Sequence, residues 1–214
     1  WTDETSLEAW KFFMDDAAGR WSWAKQLYGH LYTAKRGTVG DLVSCAKERN
    51  DPHTTIHGFE EKCPDPFWRV AAAYAARTAL FLSADPARPT QTGALNGIRP
   101  APAGSRFSLM ERQSLLNHGI ATSYYGGGAQ RIERAVTTYQ KNSFDQPDDS
   151  YLDSESLHQS AYVIRYLKSI VASKYGRHKL ANDGTRFGAG QAIVTPNVIR
   201  GELSSAYYAL ERAG

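Results

Sequence analysis

The sequence predicts an α/β (α+β) fold: a mixed β-sheet flanked by helices, in two closely packed lobes, with a β-hairpin and long helices in the C-terminal lobe. Three observations lead there. Helical and strand-like patterns alternate as α-β-α-β-α and then run α-β-β-α-α. A triple glycine, Gly126-Gly127-Gly128, separates two strand-like runs. The 214 residues are 42% hydrophobic and 22% charged, enough for a sizeable core and unlike a disordered chain. At ~100–200 residues per domain this is one domain or two joined lobes. The expected division is an α/β lobe over 1–106 and a C-terminal lobe over 107–214, which also fit one compact domain.

Thr5 and Glu8 have the spacing of a capping box, and Leu7, Trp10, Met14 and Ala17 then share one helical face. Residues 27–34, rich in Tyr and Thr, read as a strand. Thr38 caps the next helix, with Leu42, Val43 and Ala46 inward, and Asn50-Asp51-Pro52 ends it. Residues 54–59 form a second strand. Pro66 suits the first turn of a helix carrying Val70, Tyr74, Thr78 and Phe81, closed by Asp85-Pro86. Residues 87–105 hold three prolines and form a long connection.

Ser108 and Glu111 make a second capping box, and Gly119 ends that helix. Residues 120–125 and 130–139 flank the triple glycine as a hairpin, and 142–151 is a polar loop. Asp153 caps the longest helix, with Glu155 in its first turn, Lys174 in its last and Gly176 after it. Its inward face is Leu157, Ala161, Ile164, Leu167 and Val171. Thr195-Pro196 opens the last helix, with Ile199, Leu203, Ala206 and Leu210 inward.

Lys plus Arg is 25 against 22 Asp plus Glu, a net +3, too mild to argue for a nucleic-acid partner. No apolar run reaches the ~18–20 residues of a membrane span, so no membrane insertion is expected. The first residues lack the basic and apolar regions of a signal peptide. Cys45 and Cys63 allow at most one bridge, and reduced thiols are the expectation. The chain starts at Trp1 without Met, which suggests a fragment or a processed product.

Four constellations are candidates for chemistry. His53, His57 and Cys63, with Cys45, have no metal-binding spacing, and the Thr-rich run between the histidines favours a strand. Gly126-Gly127-Gly128 and residues 184–190 lack a phosphate-loop pattern. Ser156 and His158 are near in sequence but lie in no nucleophile elbow. Asp148, Asp149, Asp153 and Glu155 read as a helix start. Catalytic, cofactor-binding and metal residues are therefore all expected to be none. The strongest polar feature is Lys174, Arg177, His178 and Lys179, followed by Asp183 and Arg186. It reads equally as a cation-offset helix end or as an electrostatic contact with another chain.

Several segments carry a resemblance. They are Leu31-Tyr32-Thr33-Ala34-Lys35-Arg36-Gly37-Thr38, Asp85-Pro86-Ala87-Arg88-Pro89-Thr90-Gln91-Thr92, Val136-Thr137-Thr138-Tyr139-Gln140 and Tyr151-Leu152-Asp153. The longest is Arg177-His178-Lys179-Leu180-Ala181-Asn182-Asp183-Gly184-Thr185-Arg186-Phe187, continued by Gly190-Gln191-Ala192-Ile193-Val194-Thr195-Pro196. In this order, over nearly the whole chain, they resemble the contractile tail sheath protein of Mu-like bacteriophages and prophages.

The resemblance implies a non-enzymatic part of the virion tail, assembled in the host cytoplasm. Its partners would be other copies of itself in hexameric rings and a helical sheath, the tail tube protein, and baseplate and tail terminator proteins. Such a sheath is laid down extended and contracts to drive the tube through the host envelope. Family members also carry terminal arms that add strands to neighbours' sheets, and this chain is similar to the core without them. A five-residue strand added in this way contributes ~5 hydrogen bonds of ~0.5–1.5 kcal/mol net each. The six residues Lys174, Arg177, His178, Lys179, Asp183 and Arg186 are the expected subunit contacts, the cations facing acidic surface on a neighbour. The rival expectation is an intracellular, hydrolase-like α/β enzyme using Cys63 or Cys45. A bacteriocin or secretion-system sheath would share the mechanics.

Overall fold

A computed structural model of the chain describes residues 2–47 and 49–213. Its elements are α1 (Glu4–Met14), β1 (Leu31–Gly37), α2 (Val39–Lys47), β2 (Thr54–Glu60), α3 (Phe67–Ala84), α4 (Leu109–Asn117), β3 (Ile120–Gly126), β4 (Ala129–Arg134), α5 (Ser154–Tyr175), β5 (Lys179–Leu180), β6 (Ile193–Val194) and α6 (Pro196–Ala213). The order β1-β2-β3-β4 makes one mixed sheet, parallel from β1 to β3 and antiparallel at the β3–β4 hairpin. This is the mixed, helix-flanked sheet expected. No helix among the described residues is long and apolar enough to cross a membrane.

The chain divides into two compact units, Trp1–Gln159 and Ser160–Gly214. The break falls inside α5. A division at 106/107 would cut the sheet, because Ile56 and His57 of β2 lie opposite Ile120 and Ala121 of β3. The first unit holds the four-stranded sheet. The second holds most of α5, the β5–β6 pair and α6.

Alternation along the strands sorts the core of the first unit into two faces. Leu31, Ile56 and Ile120 point to the side covered by Leu7 of α1, Leu42 and Ala46 of α2 and Leu115 of α4. Ala34, Phe59 and Ala121 point to the other, with Val70 and Tyr74 of α3 and Leu95 and Ile98 from the long connection. That connection is therefore ordered: Leu95 N–H donates to the Gln130 carbonyl at 2.8 Å and Thr92 N–H to the Ile132 carbonyl at 2.8 Å.

Several boundaries follow local chemistry as expected. Ser108 and Glu111 close a reciprocal capping box on α4, Thr38 shares its hydroxyl and amide with Asp41 at the start of α2, and Gly119 takes the positive φ of +74° after α4. Others differ. Asp3, not Thr5, caps α1: its carboxylate accepts the Ser6 N–H at 2.9 Å, so the helix starts two residues earlier and Ala17 lies beyond its end. β1 begins at Leu31 rather than 27, because its partner β2 begins at Thr54. β4 stops at Arg134, after which Thr138 N–H donates to the Thr54 carbonyl. The Asp153 carboxylate, just before α5, takes a two-point contact from Arg134 at 2.7 and 2.8 Å. β5 and β6, two residues each, were not expected at all.

All seven residues of β2 are buried, polar ones included. Thr54 donates to buried Asp51 at 2.6 Å, and the His57 ring bonds Ser123 Oγ at 3.1 Å while stacking on Tyr74 with centroids 4.7 Å apart. Burial pushes His57 down from its ordinary 6.5 to about 4. Just beyond β2, Asp65 is fully buried. Burial alone would raise its pKa, but the Arg99 amide at 2.6 Å and the guanidinium groups of Arg99 and Arg69 outweigh that and hold it below the usual carboxylate range.

Two outcomes are expected. Gly58 has no room for a Cβ, which would lie 2.5 Å from Ile120 Cγ2 and 2.9 Å from Leu42 Cδ1. Gly58→Ala should therefore cost about 1–3 kcal/mol in urea denaturation, and an unchanged midpoint would contradict this packing. The second concerns pH. The unfolded chain takes a proton on His57 near 6.5, the folded one only near 4, so acid favours unfolding. Stability should be complete above pH 6.5 and fall below it, by up to about 1.4 kcal/mol per pH unit from this ring. His57→Gln should flatten that part of the slope; a slope identical to wild type in the same titration would refute it.

Candidate functional site

The basic residues singled out in the sequence lie in the second unit, from the end of α5 to the start of α6. Gly176 ends α5, where a Cβ would sit 2.5 Å from the Ala172 carbonyl oxygen. His178 N–H then donates to the Tyr175 carbonyl, turning the chain into β5. β5 pairs in parallel with β6 through Lys179 N–H to the Ala192 carbonyl at 2.8 Å and Ala181 N–H to the Val194 carbonyl at 3.1 Å. Gly184 and Gly190, at φ +82° and +80°, supply the turns of the intervening loop.

The six expected contact residues divide into two groups. Lys174 is engaged within its own unit, its ammonium on the Glu202 carboxylate of α6, with the Tyr175 hydroxyl 3.4 Å from the same group. That hydrogen bond raises the Lys174 pKa and lowers that of Glu202, so both stay charged at neutral pH. Asp183 is engaged too: its carboxylate accepts the Asn197 N–H at 3.0 Å, in the first turn of α6. Arg177, Lys179 and Arg186 are exposed and form no ion pair among the described residues. His178 is half-buried, its ring edge-on to Tyr175 with centroids 5.3 Å apart. The sequence offered no signal for Glu202, 28 residues from Lys174.

An apolar groove lies beside these cations. It has a volume of about 810 Å³ and is lined by Leu180, Val194, Pro196, Ile199 and Leu203, with Arg200 at its edge. Leu180 is 82% exposed. Among the described residues, β5 and β6 pair only with each other, so each keeps an outer edge unpaired.

The other constellations sit in the first unit and point to separate partners. His53 Nε2 faces Asp16 at 3.2 Å, His57 faces Ser123, and Cys63 Sγ donates to the Arg99 carbonyl at 3.4 Å. Among the described residues no group of three or more His, Cys, Asp or Glu is placed to hold a metal ion. Both cysteines are free thiols. Burial pushes the Cys63 thiol up, away from the thiolate a nucleophile needs. Asp153 is held by Arg134. Glu155 accepts from the Thr90 N–H and hydroxyl at 2.8 and 2.7 Å. The triple glycine is the hairpin turn, with Gly127 and Gly128 at φ +58° and +79°. Sequence reasoning missed the His57–Ser123 pair, which Gln130 Nε2 extends at 2.8 Å. Both are buried, so the pair ties β2 to β3 rather than meeting a substrate.

Comparison with known proteins adds the family. The phage tail sheath protein central domain matches residues 3–138. The chain is 41% identical over 211 residues to the Mu-like prophage FluMu tail sheath protein of Haemophilus influenzae, covering 98% of this chain and 43% of that protein. It thus spans under half the length of the curated relative it matches. Among solved structures, a chain of the cryo-EM structure of the anti-feeding prophage baseplate aligns with a TM-score of 0.49 and 12% identity, over 85% of this chain and 45% of that one. By the family domain over residues 3–138 and the 41% identity along 98% of its own length, this chain belongs to the phage tail sheath proteins, a structural family and not an enzymatic one.

Proposed function

We propose that the chain is the core of a contractile tail sheath subunit that polymerises with its own copies around a tail tube and contracts to drive the tube through the host envelope. The observation that carries this reading is the 41% identity to a prophage tail sheath protein along 98% of the chain. Assembly in the host cytoplasm, and contacts with tube, baseplate and tail terminator proteins, belong to the same reading. The hydrolase-like alternative is set aside by the structural family and by the burial of Cys63.

The second unit supports a role in self-association. Residues 160–214 carry eight Lys and Arg against three Asp and Glu, although the whole chain is only +3. Of the six expected contact residues, Arg177, Lys179 and Arg186 have their charge available to a neighbour's acidic surface. His178 lies between two of them, and Lys174 and Asp183 brace the platform from within. A two-stranded sheet of two-residue strands is too small to be stable alone. Its unpaired edges, and the apolar groove beside it, suit strands contributed by other subunits.

The test is electron microscopy of the full-length protein. Tubes of regular width are expected, and compact monomers under all assembly conditions would overturn the sheath reading. Arg177→Glu with Lys179→Glu should cut the polymer yield by about tenfold or more, since like charges facing each other across an interface are strongly unfavourable. If the double variant builds contracting sheaths of wild-type length, the basic residues are not subunit contacts.

A further inference from the structure

Five of the six histidines lie in the first unit, and two of them flank the half-buried Tyr32. His30 precedes β1, and its ring lies 4.6 Å from that of Tyr32. His158, in the second turn of α5, stacks on the same tyrosine at 6.3 Å with planes 6° apart, and the two imidazoles are 5.6 Å from each other. The Tyr32 hydroxyl donates to Ser154 Oγ at 3.1 Å and lies 3.0 Å from His158 Nε2. One strand tyrosine thus meets the first and second turns of α5 together. Arg134 on Asp153 and Thr90 on Glu155 hold the same stretch from either side.

The His30 ring suits only the neutral form. Its Nε2 meets Thr55 Oγ1 at 2.8 Å, while its Nδ1 is buried with no hydrogen-bond partner among the described residues. A neutral imidazole needs one donor bond and can leave a lone pair bare. A protonated one would bury an N–H without an acceptor, in a charged group. The surrounding titratable groups offer no relief. His158 and His53 would add positive charge, and the Tyr32 and Tyr74 hydroxyls stay neutral because burial raises both. Asp153 is committed to Arg134, Glu155 to Thr90 and Ser154, and Asp16 to His53. Burial above all, with His158 and His53, keeps His30 well below the ordinary 6.5.

We propose that the His30–Tyr32–His158 stack is an acid-sensitive latch, which seats the first turns of α5 on β1 while His30 is neutral and opens when that ring is protonated. It grips α5 immediately before the point at which the two compact units divide. The proposal does not depend on the assembly reading above.

Hydrogen exchange read by mass spectrometry on the full-length protein tests it. Opening takes up a proton, so the exchange of peptides over 152–160, corrected for intrinsic rate, should rise by up to about tenfold per pH unit below pH 6.5. Peptides from α2 and α4, packed on the opposite face of the sheet, should lag behind. His30→Gln can keep the Thr55 contact but cannot charge. It should match wild type near neutral pH and lose the acid response, whereas a purely structural role would lower protection equally at every pH. If that variant does not fold, the His30 titration is followed by NMR in the wild type instead. A flat wild-type profile over 152–160, a folded variant that opens in acid like wild type, or a His30 ring titrating at or above 6.5 would overturn the latch.

Discussion

The first unit is built around a strand with no solvent face. β2 lies between β1 and β3 and is covered by α3 on one side and by α1, α2 and α4 on the other, so its polar side chains must find partners inside the protein. Much of the rest follows. Thr54 requires Asp51, and Asp51 in turn accepts the His53 N–H at 2.9 Å and so fixes the turn before the strand. His57 requires Ser123, which pairs β2 to β3 through side chains as well as backbone. Glu60 accepts the Phe107 N–H at 3.3 Å and so positions the entry to α4. Gly58 is the one place on the strand where two neighbours crowd in, and the missing side chain is what lets Leu42 and Ile120 meet across it. A strand of alternating apolar and polar residues would have left one face to water and needed only one helical layer.

What was legible in the sequence follows the range of the interactions. Capping at Ser108 and Glu111, the Thr38 start of α2, the Gly119 exit and the triple-glycine hairpin depend on residues within about four positions of each other, and the local pattern determines them. Thr5 with Glu8 failed on the same terms: Asp3 offered a competing cap two residues earlier, and spacing alone does not choose between them. Asp65 with Arg99, His57 with Ser123 and Lys174 with Glu202 join residues 34, 66 and 28 positions apart, and no periodicity marks them. β5 and β6 are two residues each, too short for alternation to register. The boundary at 159/160 was invisible because the helical period runs unbroken through it, while a change from Pro-rich connection to capped helix at 106/107 looked like a seam and is internal to one sheet.

The candidate site was partly legible for a similar reason. The density of cations at 174–179 is a property of sequence and stands out by itself. Which of them are spent inside the fold is a property of the tertiary structure. Glu202 reaches Lys174 from α6, and Asp183, counted with the cluster from its place in the chain, serves the N-terminus of α6 instead. Subtracting these leaves Arg177, Lys179 and Arg186, a smaller set with its charge turned outward.

The contrast between the two units bears on how such a subunit can be both rigid and adaptable. In the first, polar groups of β2 are buried against partners between two apolar clusters, so losing one partner exposes the desolvation cost of the other and the body resists deformation. In the second, the polar groups that matter are at the surface, where water can replace a lost partner and the net worth of each contact is small. Contacts of that kind can be exchanged many times over without unfolding the body that carries them. The start of α5 stands between these regimes. It belongs to the first unit through Ser154 and Tyr32, yet its ties are hydrogen bonds to hydroxyls, carboxylates and imidazoles rather than interdigitated apolar side chains. Directional bonds of that sort hold a single geometry while they are intact and give it up together when one member changes charge, which apolar packing alone cannot do.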